Sequence, residues 1–173
     1  MQIELLKRFA EGDLDAFEKL FRQFDKQIYA WIVRIVRDTG VAEDLTVETF
    51  WRIYRSRMGF DPELDFAPWA RRIATNLAID HLKHRHSERA LPDEIMQETS
   101  PNPALQHEMR EQIRKAFRSL PAYLQVTATL ALIEGRPYKE IAESLGVSES
   151  AIRVRVFRAV RGLRKELRRA GVK

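Results

Sequence analysis

The stretch from Arg136 to Arg164, "RPYKEIAESLGVSESAIRVRVFRAVRGLR", decides the fold. Pro137 suits the start of a short helix that carries Ile141, Ala142 and Leu145 at three-four spacing. Gly146 offers the left-handed position that ends it, Val147 plugs the turn, and Ser148 can cap the next helix. Small Ala142 permits a close helix crossing, and the spacing from Ala142 through Gly146 to Ile152 is that of a helix-turn-helix. The second helix begins deceptively, because Ile152, Val154 and Val156 alternate with Arg153 and Arg155 as in a strand. At about 100° per residue, however, Ile152, Val156, Ala159, Val160, Leu163 and Leu167 fall within an arc of roughly 100°, and most of the cations point away from it. The segment is an amphipathic helix. Val154 and Phe157 lie on its basic face, where burial does not explain them unless another element covers that face. In a DNA major groove an exposed aromatic or valine meets a thymine methyl, while arginines reach guanine edges or phosphates.

Composition agrees with that direction. The chain has 173 residues, 45% of them hydrophobic, which allows one or two packed domains. The net charge of +5 invites an anionic partner, and it is concentrated in the last helix. From Ala151 onward nine Lys or Arg accompany one acid, Glu166. There is no cysteine, which excludes disulfides and Cys-ligated metal and fits a reducing cytosol. No apolar run approaches the roughly 18 residues of a membrane span, so a soluble cytoplasmic protein without membrane insertion is expected.

Upstream, the pattern remains helical. After Asp13 as N-cap, Phe17, Leu20, Phe21, Phe24, Ile28, Trp31, Ile32 and Ile35 trace a long core helix. The next helix, "VAEDLTVETFWRIYRSR", shows Val47, Phe50, Trp51 and Tyr54 as its apolar stripe. A loop, "GFDPELDFAP", then leads to the helix "PWARRIATNLAIDHLKHRH", with Pro68 in its first turn. Between Ser87 and about Gln106, three prolines and the acids Glu88, Asp93, Glu94 and Glu98 replace any periodicity, as in an interdomain linker. A further helical block starts near Pro103, breaks at Pro121 and resumes as "AYLQVTATLALIEGR". The expected fold is all-α: two small helical domains joined by a flexible linker, the C-terminal one carrying the helix-turn-helix.

"AEDLTVETFWRIYR", "PWARRIATNLAIDHLK" and the C-terminal helix-turn-helix, in this order, resemble the extracytoplasmic-function sigma factors, promoter-recognition subunits of bacterial RNA polymerase. The resemblance covers nearly the whole chain. It implies sigma domain 2 over residues 5–87, a linker over 88–110 and sigma domain 4 over 111–173, with no domain 3 between them. It implies two principal partners, core RNA polymerase (the clamp helices of the largest subunit and the flap region) and promoter DNA. Family members are often also held inactive by an anti-sigma factor.

The resemblance assigns roles residue by residue. Glu43, Asp44, Glu48 and Phe50 match the polymerase-binding helix. Two acids four apart on one face repel each other, and a cationic partner relieves that repulsion; the local alternative is a pair between Glu48 and Arg52. Thr46 and Val47 stand where the family commonly has Val-Gln, so one polar contact is missing. For the minus-ten element the matching residues are Trp69, Arg72, Asn76 and Lys83, with Asp61 in the loop that forms a pocket for a flipped base. An aromatic, an amide and cations on one face suit single-stranded DNA. For Trp69 the alternative is core packing. For the minus-35 element they are Ser148, Ser150, Arg153, Val154, Arg155, Phe157 and Arg158. Ala151 and Val154 replace the hydroxyl residues common in the family, which points to a different promoter preference.

Other chemistry lacks support in the sequence. His81, His84 and His86 beside Asp80 are spread over successive helical turns and do not make a convincing metal set. No phosphate-cradling glycine loop, nucleophile elbow or paired catalytic carboxylate is present, so no cofactor and no enzymatic activity are expected. The competing reading is a stand-alone helix-turn-helix regulator with a sensing or dimerising N-terminal bundle. A helical adaptor without DNA leaves the basic last helix unexplained.

Overall fold

The computed structural model describes residues 2–87 and 103–171. Among these residues all regular structure is helical. Four helices form the first half: α1 (Gln2–Ala10), α2 (Leu14–Val36), α3 (Thr39–Arg55) and α4 (Phe66–Ser87). The second half contains α5 (Pro103–Arg118), α6 (Ala122–Ala128, continuing as a π-turn over Thr129–Ile133), α7 (Tyr138–Leu145) and α8 (Glu149–Arg169). Of the expected linker, residues 88–102 lie outside the described residues, and 103–110 form the start of α5.

The helix boundaries follow from local chemistry. Asp13 caps α2 by accepting from the backbone amides of Asp15 and Ala16, and Arg8 clamps its other oxygen at 2.7 Å. Those contacts hold the Asp13 carboxyl below the ordinary carboxylate range, the amide of Ala16 contributing most and Arg8 next. α2 ends at Arg37, whose φ of 57° and ψ of 30° are left-handed, a conformation usually left to glycine. Asp38 then caps α3 through the amide of Val41.

α2, α3 and α4 pack on one another around Leu20, Phe24, Ile28, Ile32, Ile53 and Ala74, and α1 closes one end with Leu6 and Phe9. An aromatic cluster of Phe9, Phe60, Phe66 and Trp69 pins the 60–65 loop to the start of α4. Buried hydroxyls satisfy themselves: Thr46, Thr49, Thr75 and Thr127 each donate to the carbonyl four residues back. Thr75 also accepts from the indole Nε1 of buried Trp31 at 2.9 Å.

The two halves share a core. Val126, Leu130, Ile141, Ala142, Ile152 and Val156 of the second half join the same buried cluster as the first half, chiefly through α4 against α7. A smaller cluster of Leu120, Leu124, Ala128 and Ala159 holds α5 and α6 on α8. Gly162 allows a close approach there, since a methyl at that position would fall 2.6 Å from Leu120 Cδ2 and force that side chain to shift.

Candidate nucleic-acid interface

The helix-turn-helix is built as its residues dictate. Gly146 ends α7 with φ 65° and ψ 37°, and Ser148 Oγ accepts from the Ala151 amide at 3.2 Å to start α8. Ile152, Val156 and Ala159 are buried, while Val160, Leu163 and Leu167 are half-buried. Among the described residues no element covers the opposite face. Arg153 and Arg158 are exposed, Val154 is 48% exposed and Phe157 67%. Arg155 is half-buried and turned sideways, its guanidinium 5.2 Å from the centroid of the Tyr123 ring on α6. Ser148 and Ser150 share a hydrogen bond of 2.9 Å at the exposed start of the helix. The result is a cationic surface carrying two apolar side chains, dimensioned to enter a major groove.

A second surface lies on α4. Arg72, Asn76, Asp80 and Lys83 are all exposed on one side, as the helical wheel requires. Trp69 is instead half-buried in the aromatic cluster, 4.6 Å from the Phe60 ring centroid, so much of its surface goes to anchoring the loop. Asp61 is exposed and accepts from the Glu63 amide at 3.0 Å, which shapes the loop turn. Arg72 reaches across to the second half, where its guanidinium fills the space over Gly146; a methyl there would meet its Nη2 at 2.6 Å. His81, half-buried on α4, is held below the ordinary histidine range by burial first and by Arg85 next. Among the described residues no group of His, Asp or Glu is placed to hold a metal ion.

The third surface, on α3, corrects two expectations. Phe50 is 3% exposed and packs edge-on against Phe21 at 4.7 Å, so it is a core residue with no surface to offer a partner. Val47 and Trp51, members of the expected apolar stripe, are 69% and 54% exposed. The buried positions are Ala42, Thr46, Thr49, Phe50 and Ile53, because the back-bonded threonines enter the core without leaving a hydroxyl unpaired. At about 100° per residue, Glu43, Asp44, Val47, Glu48 and Trp51 occupy one arc of roughly 140°. Glu48 pairs with Arg52 at 2.9 Å, and Arg55 lies 5.9 Å from the Trp51 ring. An acidic face with an apolar centre is therefore presented to solvent. The spacing of Val47 and Trp51 relative to Asp44 and Glu48 was the sequence signal for it.

An α-helical chain with a basic helix-turn-helix at one end and an acidic helix at the other matches two family models in order. They are Sigma-70 region 2 over residues 20–88 and Sigma-70 region 4 over 110–163. RNA polymerase sigma factor CarQ of Myxococcus xanthus is 33% identical over 94% of this chain and 95% of that protein. ECF RNA polymerase sigma factor SigE of Mycolicibacterium smegmatis is 34% identical over 91% of this chain and 65% of that protein. The fold is also that of a solved structure, CnrH in complex with the cytosolic domain of CnrY (TM-score 0.60, 21% identity, 96% of both chains). The chain belongs to the extracytoplasmic-function RNA polymerase sigma factors. It is accordingly a promoter-specific transcription initiation factor, and the stand-alone regulator is not favoured. Among the described residues no helix is long and apolar enough to cross a membrane.

Proposed function

We propose that three surfaces divide the work of initiation. The α3 face, with Glu43, Asp44 and Glu48 around Val47 and Trp51, docks on the clamp helices of the largest polymerase subunit. The second half docks on the flap region. Asn76, Arg72 and Lys83 of α4, with Asp61 and the edge of Trp69, contact the opened minus-ten strand. Ser148, Ser150, Arg153, Val154, Arg155, Phe157 and Arg158 read the minus-35 element. On this reading residues 5–87 act as sigma domain 2, 88–110 as linker and 111–173 as sigma domain 4. The chain acts in the cytoplasm and supplies binding energy and placement, while the polymerase performs the chemistry. An anti-sigma factor is a further partner, since a solved sigma factor of this fold, RpoE of Bartonella quintana, is bound to the anti-sigma factor NepR.

The observation that carries the reading is the uncovered basic face of α8, with Phe157 67% exposed among arginines. An aromatic left in water on a cationic helix has no role in packing, and it has one in a groove that offers thymine methyls and phosphates. Run-off transcription by core polymerase plus this protein on a genomic fragment library is the test. Initiation at a discrete set of sites is expected, and failure at every site in low salt with folded protein would refute the assignment.

A further inference from the structure

We propose that the groove between α2, the start of α4 and the start of α7 is a binding site for a small phosphate-bearing ligand. None of the residues assigned above to polymerase or promoter DNA lines it. The groove has a volume of about 330 Å³, within the range of about 300–1,000 Å³ usual for small-molecule sites. Its apolar lining comes from Phe24, Ile28, Trp31 and Ala67. Around these stand Lys26 and Arg34 of α2, Arg71 of α4 and Arg136 just before α7, with a single acid, Glu140. Apolar walls with converging cations are the composition that an organic phosphate needs.

The cations outnumber the acids that meet them. Glu140 accepts from Arg71 Nη1 at 2.9 Å and lies 3.9 Å from Arg136 Nη1. Glu134 accepts from Arg37 Nη2 at 2.7 Å and lies 3.4 Å from Arg34 Nε. These two carboxylates thus serve four guanidiniums, and Lys26 makes no ion pair among the described residues. Five cations against two carboxylates favour a polyanion over a monoanion, which selects phosphates over simple carboxylates. The guanidiniums are also restrained in advance. Those of Arg71 and Arg136 lie 5.4 and 5.7 Å from the centroid of the Trp31 ring, a contact that consumes no N–H donor. Nε of each is buried and lacks an acceptor, an uncommon state for a charged donor. Phosphate oxygens supply acceptors in the planar fork geometry that a guanidinium matches. α7 begins at the same wall with no side-chain cap, so the positive end of its dipole adds to the field.

Isothermal titration calorimetry of the full-length protein with pyrophosphate, ADP and sulfate, without added metal, is the test. Saturable binding of one pyrophosphate or one ADP per chain is expected, about tenfold or more tighter than sulfate. Arg34→Gln with Arg136→Gln should weaken that binding about tenfold or more. Lys26→Gln, at an exposed position where substitution spares the fold, should weaken it about two- to fivefold. The basic face of α8 is the competing place for a polyanion on this chain, so Arg161→Gln with Arg164→Gln, both exposed, should leave the affinity unchanged. Tighter binding of ADP than of pyrophosphate assigns the apolar lining to the organic part of the ligand, and the reverse order assigns the groove to inorganic pyrophosphate. Absence of saturable binding, sulfate held as tightly as either probe, or an equal loss in the α8 variant and the groove variant would overturn the site. Should the double groove variant fail to fold, Lys26→Gln decides alone, and unchanged affinity there overturns the site.

Discussion

Phe157→Ala, tested in the reconstituted polymerase holoenzyme, separates a reading side chain from a structural one. Full burial of a phenylalanine is worth about 1.5–3 kcal/mol. Two-thirds of this ring is open to solvent in the free protein. Covering that share in a groove is worth about 1–2 kcal/mol, so the variant should lose about 5- to 30-fold in affinity for promoter DNA. Folding should not suffer. Exposed substitutions lie within about 0.5 kcal/mol, and alanine is the better helix former. Fluorescence anisotropy of a labelled promoter fragment titrated with holoenzyme gives the first quantity. Urea unfolding of the free chain gives the second, and retention of core polymerase gives a third that should not change. Undiminished promoter affinity, or a fall in stability of 2 kcal/mol or more with promoter affinity falling in step, would refute the reasoning.

Arg158→Ala should weaken the same binding and, as a phosphate contact, lower the slope of log affinity against log salt by about 1, read from titrations at several salt concentrations. Gly162→Ala pushes a methyl toward Leu120 at a cost of about 1–3 kcal/mol, of which the better helix propensity of alanine returns about 1. A double-mutant cycle with Leu120→Ala in urea unfolding should show favourable coupling. Thr75→Val removes the acceptor of the Trp31 indole and should cost about 1–3 kcal/mol, with a shift of tryptophan emission as the local report. Because the folded state holds His81 below its ordinary range, the unfolded chain takes up that proton at the higher pH. Stability should therefore fall as pH drops below about 6.5, and His81→Gln should flatten that part of the profile in unfolding at pH 7.5, 6.0 and 5.0. A wild-type profile that rises on acidification would contradict it.

Much of this architecture is legible in the sequence. The three-four spacing of Leu20, Phe24, Ile28 and Ile32 marks α2, and the caps at Asp13, Gly146 and Ser148 are local hydrogen-bonding chemistry that needs no tertiary context. The solvent-facing Phe157 followed from helical geometry alone. On α3 the apolar stripe of Val47, Phe50, Trp51 and Tyr54 is not the buried face, because Val47 and Trp51 are exposed and Thr46 and Thr49 are buried. A threonine that donates to its own helix buries cheaply, whereas Val47 and Trp51 are placed outward. Helix α1 was hidden by its charges, although Leu6 and Phe9 are core. Around the shared apolar core, the two halves also meet through pairs such as Arg37 with Glu134, 97 residues apart, and through Arg72 over Gly146. No local period records such pairings, since each partner alone is an ordinary surface charge.

Val47 and Trp51 carry a further consequence for the protein as a population of molecules. A valine and an indole held open on one helix face form a sticky spot that water does not favour. Flanking acids at Glu43, Asp44 and Glu48 keep like copies apart by charge, a protection that weakens as salt rises. Pairing of two copies through this one face is thus opposed by charge in dilute buffer, and the same acids leave the face ready for a cationic partner.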